Sequence, residues 1–306
     1  MPEYPDVVVY VERLRAHAGG QRLERVRIGH IFLLRTAQPP ISAIEGLKLL
    51  EVERMGKRIV LAFENDLFFV LHLMISGRLE WHRTAVAVPK KRGLAAFDFD
   101  NGTLLLTESS TQKRASLHVV QGREALSGFD RGGLEVMEST PEAFAEAIRA
   151  ESHTLKRTLT DPTILSGIGN AYSDEILHHA GLSPFLLSRN LTDAQIARLF
   201  DATRGVLAEF TERIRQEAGD DFPARVTAFR EDMAVHGRYG RPCPSCGTPV
   251  QRIQYASNET NYCPTCQTEG RLLADRGLSR LLKDDWPRSL EELEDRKQPP
   301  RQTPPG

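Results

Sequence analysis

The chain has 306 residues, enough for two or three domains, and its formal net charge is −1 with a pI of about 6.8. This near-neutral balance excludes a uniformly basic nucleic-acid-binding protein, although a local cluster of arginines can still bind phosphates. No apolar run has the length of a membrane span and no signal peptide is recognisable, so we expect a cytoplasmic protein without a membrane partner.

The chain begins with Met1, Pro2 and Glu3. If Met1 is removed, Pro2 carries a free secondary amine. An α-amino group titrates near ~8, against ~10.4 for a lysine, so much of it is a neutral nucleophile near pH 7. Such an amine attacks carbonyl-like carbons and forms Schiff bases, and Glu3 would place a carboxyl group beside it for proton transfer. On its own, this start is much more often just a rigid segment before a helix.

Residues 6–17 (DVVVYVERLRAH) predict an amphipathic helix that ends at Gly19-Gly20. Strand patterns dominate from about residue 22 to residue 120. They include one hairpin around Glu64-Asn65-Asp66 and a second around Asp100-Asn101-Gly102, where Asn-Gly is a strong turn signal. We therefore expect a β-rich N-terminal domain that is built as a sandwich.

Residues 139–217 have helical patterns. Thr140 followed by Pro141 fits a helix N-cap with proline in the first position. Thr192 and Gln195 are spaced as a capping box. An apolar stripe then recurs at helical spacing, and we interpret it as core packing: Ile196, Leu199, Phe200, Thr203, Leu207, Phe210 and Ile214.

A glycine-rich turn, Ser166 to Asn170, lies between two helical stretches. Its glycines allow a tight turn and the close approach of a partner. Asn170 would begin the next helix, whose exposed amides attract a phosphate. Lys156 on the preceding helix, and Lys57 before the strand KRIVLAF, could each add a charged donor to a phosphate. Each of these features is also typical of a plain turn or a solvated lysine.

Four cysteines, Cys243, Cys246, Cys263 and Cys266, form two C-x2-C pairs separated by sixteen residues. Thiolates at this spacing predict one structural Zn²⁺, and four protein ligands leave no open position for catalysis. No cysteine remains for a disulfide, which fits a reducing compartment. Residues 255–262 (YASNETNY), between the pairs, suit a hairpin with a polar tip.

Basic residues are concentrated around this predicted zinc module, which spans about 230–270. The arginines of this region are Arg225, Arg230, Arg238, Arg241 and Arg252. They can bind phosphates, although a solvated surface explains them equally well. After the module we expect a short helical stretch, and then a disordered end, QPPRQTPPG, at residues 298–306.

Together these pieces resemble one family. The start MPE-x-P-D, a lysine before a strand, H-L-x-x-S-G from His72 to Gly77, GIGNAYSDEIL, and HGR before the four cysteines look like the formamidopyrimidine-DNA glycosylase and endonuclease VIII family. The resemblance runs from residue 2 to about residue 267. It implies an α+β fold with a two-layered β-sandwich (1–130), a helix–two-turn–helix domain (131–225) and a zinc finger with a β-hairpin (226–270), followed here by an extension (271–306).

The resemblance also implies a function in base-excision repair. Family members remove damaged bases from DNA as glycosylases and then cut the strand as AP lyases. Pro2 resembles the nucleophile that attacks the sugar C1′ and forms an iminium. Glu3 resembles the proton-transferring acid, and β-elimination follows, with δ-elimination a further step. Lys57, Lys156 and Asn170 match positions that contact phosphates and help hold a flipped-out nucleotide against Pro2.

Other positions that the resemblance places at the DNA are Asp6, where the family usually has Glu, and His72, Met74, Ile75, Arg114, Gly169, Arg238 and Asn258. Ile75 stands where a methionine often fills the space left by the flipped base, with Met74 beside it, so an apolar wedge is retained in altered form. The arginine–phenylalanine pair that wedges against the opposite strand corresponds at best to Arg114 and Ala115, so the aromatic wedge is missing.

Two further departures concern DNA contacts and the substrate. Asn258 takes the place of the arginine at the hairpin tip, so one charged phosphate contact is lost or moved to Arg238 or Arg241. The segment 219–235 is too short for the long loop that caps 8-oxoguanine in some members. An oxidised pyrimidine, a formamidopyrimidine, an abasic site or a bulky lesion is therefore equally open.

Three functions remain as alternatives. The first is a DNA glycosylase with AP lyase activity that acts on damaged DNA, at the nucleoid and as a monomer. The second is a non-catalytic, zinc-stabilised protein that binds DNA lesions. The third is a zinc-ribbon scaffold for protein partners, which Lys57, Lys156 and Asn170 disfavour.

Overall fold

The computed structural model describes residues 1–224, 230–255, 258–274 and 287–297. The described residues form two compact units. The first contains Met1–Thr140, Asp161–Gly169 and the described part of Arg204–Arg230, and the second contains Pro141–Thr160, Asn170–Thr203 and the described part of Glu231–Gly306.

In its described residues, the first unit contains one complete α-helix and eight strands. They are α1 (Tyr4–Ala18), β1 (Leu23–Ile28), β2 (Leu49–Met55), β3 (Arg58–Phe63), β4 (Leu67–His72), β5 (Gly77–His82), β6 (Gly93–Phe99), β7 (Gly102–Glu108) and β8 (Ser116–Gln121). The remaining α-helices and strands of the described residues are α2 (Pro141–Ala150), α3 (Leu155–Thr160), α4 (Asn170–Ala180), α5 (Asp193–Ala218), β9 (Gln251–Tyr255), β10 (Asn258–Tyr262), α6 (Pro264–Thr268) and α7 (Leu290–Lys297). Short 3-10 helices at Ile31–Leu33, Ile41–Ala43, Glu64–Asp66, Arg123–Phe129 and Ser188–Asn190 lie in the connections.

Helix α1 begins at Tyr4, two residues before the predicted start. The reason is a capping box formed by two acidic side chains. The Glu3 side chain accepts the backbone N–H of Asp6, and the Glu3 N–H donates to Oδ2 of Asp6 at 2.9 Å. These bonds satisfy amides that the helix itself leaves unpaired. The helix stops at Gly19, as predicted, and the C-cap N–H bonds to the carbonyl of Arg15.

Two four-stranded antiparallel sheets form the predicted sandwich. Their strand orders are β2-β3-β4-β8 and β1-β6-β7-β5. Both predicted hairpins are confirmed, because β3 pairs with β4 and β6 pairs with β7. Gly102 begins β7, and a Cβ there would lie 2.8 Å from the Trp81 ring, so this glycine is also required for packing on the neighbouring strand.

The core between the sheets follows the two-residue period of the strands. On β4, Leu67, Phe69 and Leu71 face the main core, which also includes residues of β5, β6 and β7. The ring of Phe69 lies 5.7 Å from that of Phe97 on β6. Phe68 and Val70 instead join a second cluster, on the other face, with Leu126. Both faces of β4 are therefore buried, and each buried phenylalanine stabilises the fold by about 1.5–3 kcal/mol.

The predicted starts of two helices are confirmed. Helix α2 begins at Pro141, and the Thr192–Gln195 capping box precedes α5, with the N–H of Gln195 donating to the Thr192 hydroxyl at 3.2 Å. All seven residues of the predicted stripe on α5 are buried. Within the second unit, the Phe144 and Phe200 rings pack 5.2 Å apart.

Strands β9 and β10 pair antiparallel and confirm the predicted hairpin, although its tip lies outside the described residues. Arg225 and the expected disordered end at 298–306 also lie outside them. Helix α7 is the helical stretch expected after the zinc module. Among the helices of the described ranges, none is both long and apolar enough to cross a membrane.

Candidate active site

The first unit brings the predicted N-terminal residues together with Lys57 and Gly169. Pro2 and Glu3 are buried, and Oε2 of Glu3 accepts the N–H of Gly169 at 2.7 Å. A Cβ on residue 169 would lie 2.5 Å both from Oε1 of Glu3 and from Nζ of Lys57. The missing side chain of Gly169 is therefore what allows a carboxylate and an ammonium to meet at this point.

The turn that presents Gly169 is fixed by contacts with Tyr4, Arg54 and Glu135, which the sequence did not single out. Gly167 has a φ of +80°, and its carbonyl accepts the N–H of Tyr4 at 2.9 Å. The Arg54 guanidinium lies 4.5 Å from the centre of the Tyr4 ring and is paired with Glu135, which accepts the Ser166 hydroxyl. Arg54 and Glu135 belong to no motif, and their partners are distant in the chain, so no local signal marked them.

Asp6 is fully buried, and its carboxylate caps α1 through the Glu3 N–H. In this structure its side chain therefore acts on the position of Glu3, two residues from the chain start. The prediction that Asp6 contacts DNA stays a prediction.

His72 and the turn after it present an exposed apolar side chain. Nδ1 of His72 accepts the N–H of Met74 at 2.9 Å, and Met74 has a φ of +53°, which is uncommon for a residue with a side chain. Ile75 follows and is 49% exposed. Burial, aided by the positive charges of Arg58 and Lys57, lowers the pKa of His72 to about 4. The imidazole is therefore neutral at pH 7 and holds the turn as a hydrogen-bond acceptor.

The lowered pKa of His72 makes part of the stability depend on pH. The unfolded state takes up the proton near ~6.5, whereas the folded state does so only near 4. The contribution of His72 to the free energy of unfolding is therefore fully present above pH ~6.5. It falls, by up to about 3 kcal/mol, as the pH drops toward 4. We expect His72→Asn, which keeps an acceptor, to lack this loss. Urea unfolding of both proteins between pH 4 and 7 measures it, and parallel pH profiles would contradict the assignment.

Arg114 is exposed, whereas Ala115 is fully buried and cannot serve as a wedge. Their segment is held by Glu108 at the end of β7. The buried Glu108 carboxylate accepts the N–H groups of Arg114 and Ala115 at 2.9 Å and 3.1 Å. Arg114 therefore starts from a fixed backbone position with its side chain at the surface.

In the second unit, Lys156 lies on α3, the helix before the glycine-rich turn, as predicted, and its ammonium reaches the beginning of α4. Its ammonium donates to the Asn170 carbonyl at 2.6 Å, to the Ser173 hydroxyl at 2.7 Å and to Oδ1 of Asp174 at 2.5 Å. Asp174 is fully buried, and its second oxygen lies 2.8 Å from Nδ1 of His236. Asp174 and His236 were not predicted as site residues, because both lie inside motifs that carried only the family resemblance.

A second buried acid organises the first segment of the zinc module. The Glu175 carboxylate accepts the N–H groups of Ala234, Val235 and His236 at 2.7–2.9 Å. Its burial raises the pKa, against the effect of these three bonds. Arg238, which was predicted to contact DNA, donates to the carbonyl of Glu231 at 3.2 Å. Asn258 is placed at the start of β10, opposite Tyr255.

The four cysteines converge as a zinc site requires. Their sulfur atoms all lie within 4.8 Å of one another, and the Cys243–Cys266 and Cys246–Cys263 pairs are 3.9 Å and 3.4 Å apart. A tetrahedral ion with Zn–S bonds of about 2.3 Å needs sulfur separations of about 3.8 Å, so the residues fit one structural Zn²⁺. Nε2 of His178 lies 3.2 Å from the Cys243 sulfur and would orient this ligand.

Known families and proteins match this chain along most of its length. Three family descriptions match in order: Formamidopyrimidine-DNA glycosylase N-terminal domain over residues 1–114, Formamidopyrimidine-DNA glycosylase H2TH domain over 134–218, and Zinc finger found in FPG and IleRS over 240–268. A formamidopyrimidine-DNA glycosylase of Thermus thermophilus is 35% identical over 285 residues, covering 88% of this chain and 100% of the relative. An uncharacterized formamidopyrimidine-DNA glycosylase-like protein of Mycobacterium tuberculosis is 39% identical over 151 residues, covering 49% of this chain and 94% of that protein.

Solved structures agree. The MutM (Fpg) protein of Thermus thermophilus superposes with a TM-score of 0.71 at 32% identity, covering 87% of this chain and 98% of that one. Lactococcus lactis Fpg in complex with abasic-site DNA gives a TM-score of 0.77, covering 87% and 99%, but at 22% identity this likeness shows the fold alone. The ordered family matches and the full-length relative establish that the chain belongs to the formamidopyrimidine-DNA glycosylase family.

Proposed function

We propose that this protein is a base-excision-repair DNA glycosylase with AP lyase activity, and that Pro2 is its nucleophile once Met1 has been removed. The observation that carries the proposal is the group of Pro2, Glu3 and Lys57 around Gly169. A secondary amine, a carboxylate and an ammonium at one point supply a nucleophile, a proton carrier and a phosphate-binding cation. Family membership and the curated relatives support the same function.

The chemistry follows from these groups. The neutral Pro2 nitrogen attacks C1′ of the damaged nucleoside, and the bond from C1′ to the base breaks with its electron pair going to the base. The departing base takes a proton from water. The N–H proton of the attacking Pro2 nitrogen passes to the Glu3 carboxylate, and Glu3 donates it to the sugar ring oxygen as that oxygen leaves C1′ with its bonding pair. The freed nitrogen lone pair then completes an iminium. The iminium acidifies the C2′ proton. Loss of this proton expels the 3′ phosphate, which cuts the strand by β-elimination.

The surroundings of the chain start favour a neutral amine. Burial lowers the pKa of the Met1 α-amino group, and Arg78 and Lys57 lower it further, against the carboxylates of Glu3 and Asp6. Removal of Met1 would leave the Pro2 amine in the same buried neighbourhood. Desolvation disfavours the charged ammonium and so increases the nucleophilic fraction at neutral pH.

Borohydride trapping tests the proposal. The protein is incubated with a DNA duplex that carries one abasic site, the iminium is reduced, and the adduct is mapped by mass spectrometry. We expect a covalent complex on the peptide that begins with Pro2. DNA binding without an adduct would instead favour a non-catalytic lesion-binding protein. The buried Ala115 at the wedge position would then be the leading explanation.

Replacing Gly169 should disturb the catalytic group without unfolding the chain. The new Cβ of Gly169→Ala must displace the Glu3 carboxylate or the Lys57 ammonium, and a displacement of about 1 Å can cost roughly 100-fold in rate. Gly205→Ala, on an exposed face of α5 with nothing within 4 Å of the new Cβ, is the matched control. It should keep its activity and gain about 0.5–1 kcal/mol of stability. Single-turnover trapping rates compare the two, and equal rates would contradict the proposed role of Gly169.

The remaining parts of the proposal concern the wider context. Damaged DNA is the partner, and the cofactor is one structural Zn²⁺ per chain, bound by the four cysteines. We propose that the enzyme acts as a monomer in the cytoplasm, at the DNA, and that its domains follow the boundaries 1–130, 131–225, 226–270 and 271–306. Sedimentation with and without a lesion duplex tests the monomer. A panel of lesion duplexes, scored for base release, identifies the damaged base and the preferred opposite base.

A further inference from the structure

Lys156 has no hydrogen-bond donor left for a phosphate in this structure. A lysine ammonium has three N–H donors, and those of Lys156 point to Asn170, Ser173 and Asp174. The buried Asp174 carboxylate also offsets its charge. To bind a phosphate, Lys156 would have to give up a bond and expose Asp174 without its cation, and an unpaired buried charge is strongly unfavourable.

Arg157, the next residue on α3, is in the opposite situation. It is exposed, and the ion pairs found between described residues do not include it. Arg157 and Lys156 line the same cavity of about 760 Å³, which reaches Asn170 at the beginning of α4. An arginine with five donors in a planar fork is well suited to bind phosphate oxygens in pairs.

The rest of this cavity fits a sugar–phosphate backbone. Phe185 and Leu187 contribute apolar surface to the lining, against which a deoxyribose can pack. The acidic residue of the cavity, Glu259, accepts the side-chain N–H of Asn261 at 3.1 Å and lies 3.6 Å from Arg252. The negative charge of Glu259 is therefore offset within the zinc module. The positive charge of Arg157 then makes the electrostatic potential in the cavity positive.

We infer that Arg157 binds a DNA backbone phosphate at this cavity, and that Lys156 is a positioning residue that holds the beginning of α4. The assignment rests on the proposed function, since DNA is the ligand. It also supplies a cation in place of the hairpin-tip arginine that Asn258 replaces.

Salt-dependent binding tests the assignment. The full-length zinc protein is titrated with a duplex that carries a tetrahydrofuran abasic analogue, by fluorescence anisotropy, at salt concentrations between about 50 and 200 mM. Each phosphate contact contributes about 0.9 to the slope of log K against log salt. We expect Arg157→Gln to make the slope shallower by about 0.9. Arg198→Gln, which changes another exposed arginine, on α5, should leave the slope unchanged.

Lys156→Gln should weaken binding with an unchanged slope, and Lys156→Arg, which keeps the cation and its donors, should restore most of the affinity. An unchanged slope in Arg157→Gln, or a slope reduced by about 0.9 in Lys156→Gln, would overturn the assignment. Failure of the proposed function gives a different result, since the wild-type protein would then form no borohydride adduct whatever its salt dependence.

Discussion

Substituting Pro2 by glycine should lower the rate of borohydride-trapped adduct formation at an abasic site by at least about 100-fold, the scale on which the loss of a catalytic group acts. The secondary amine of proline forms an iminium that has no N–H, so its positive charge cannot be lost to solvent. The primary amine of glycine forms a protonated imine, which can lose its N–H proton. The neutral imine that results withdraws electrons only weakly. The buried pyrrolidine ring also fixes the nitrogen beside Glu3. Single-turnover trapping on an abasic duplex measures the effect.

Acetylation of the N-terminus is the matching control. It removes the nucleophile but leaves Lys57, Arg157 and the zinc module in place, so DNA affinity should stay close to that of the untreated protein. Full lyase activity in Pro2→Gly would refute the proline mechanism. Loss of DNA binding on acetylation would mean that the N-terminus also has a structural role.

The elements that could be predicted from the sequence are those fixed by neighbours in the chain. The Asp100-Asn101-Gly102 turn, the Thr192–Gln195 capping box and the paired cysteines each carry their signal within a few residues, and the structure has all three. The start of α1 was predicted two residues too late, although its signal is equally local. An acidic pair, Glu3 and Asp6, replaces the usual Ser or Thr at the cap, so the pattern was not recognised.

The candidate site could be predicted only in part, because its contacts join distant residues. The bond from Gly169 to Glu3 spans 166 positions, and the bond from Asn261 to Asp174 spans 87. The resemblance named Lys57, Gly169 and Lys156 but could not show what each one touches. The Lys156–Asp174 pair illustrates the consequence. The sequence suggested a cation free to bind a phosphate, and the structure has one whose donors are all used.

The zinc module should be lost as a whole when one ligand is removed. Cys263 is fully buried, its sulfur lies 3.4 Å from that of Cys246, and its N–H donates to the Gln267 side chain. The module's small apolar cluster consists largely of the ligands themselves with Val235 and Val250, so metal binding supplies most of its stability. In zinc-finger peptides this binding amounts to roughly 10–16 kcal/mol.

We therefore expect Cys263→Ser to reduce the zinc content from one ion per chain to near zero, and to open the region around β9 and β10 to protease. Thr265→Ala is the matched control, because Thr265 lies between the ligands Cys263 and Cys266 in the sequence. The hydroxyl of this exposed residue lies 2.8 Å from that of Thr248. The control should keep its zinc and change the free energy of unfolding by no more than about 1 kcal/mol. Metal analysis and limited proteolysis separate the two variants. One zinc per chain and an intact module in Cys263→Ser would show that three thiolates suffice and that the module's own packing is stronger than its small cluster indicates.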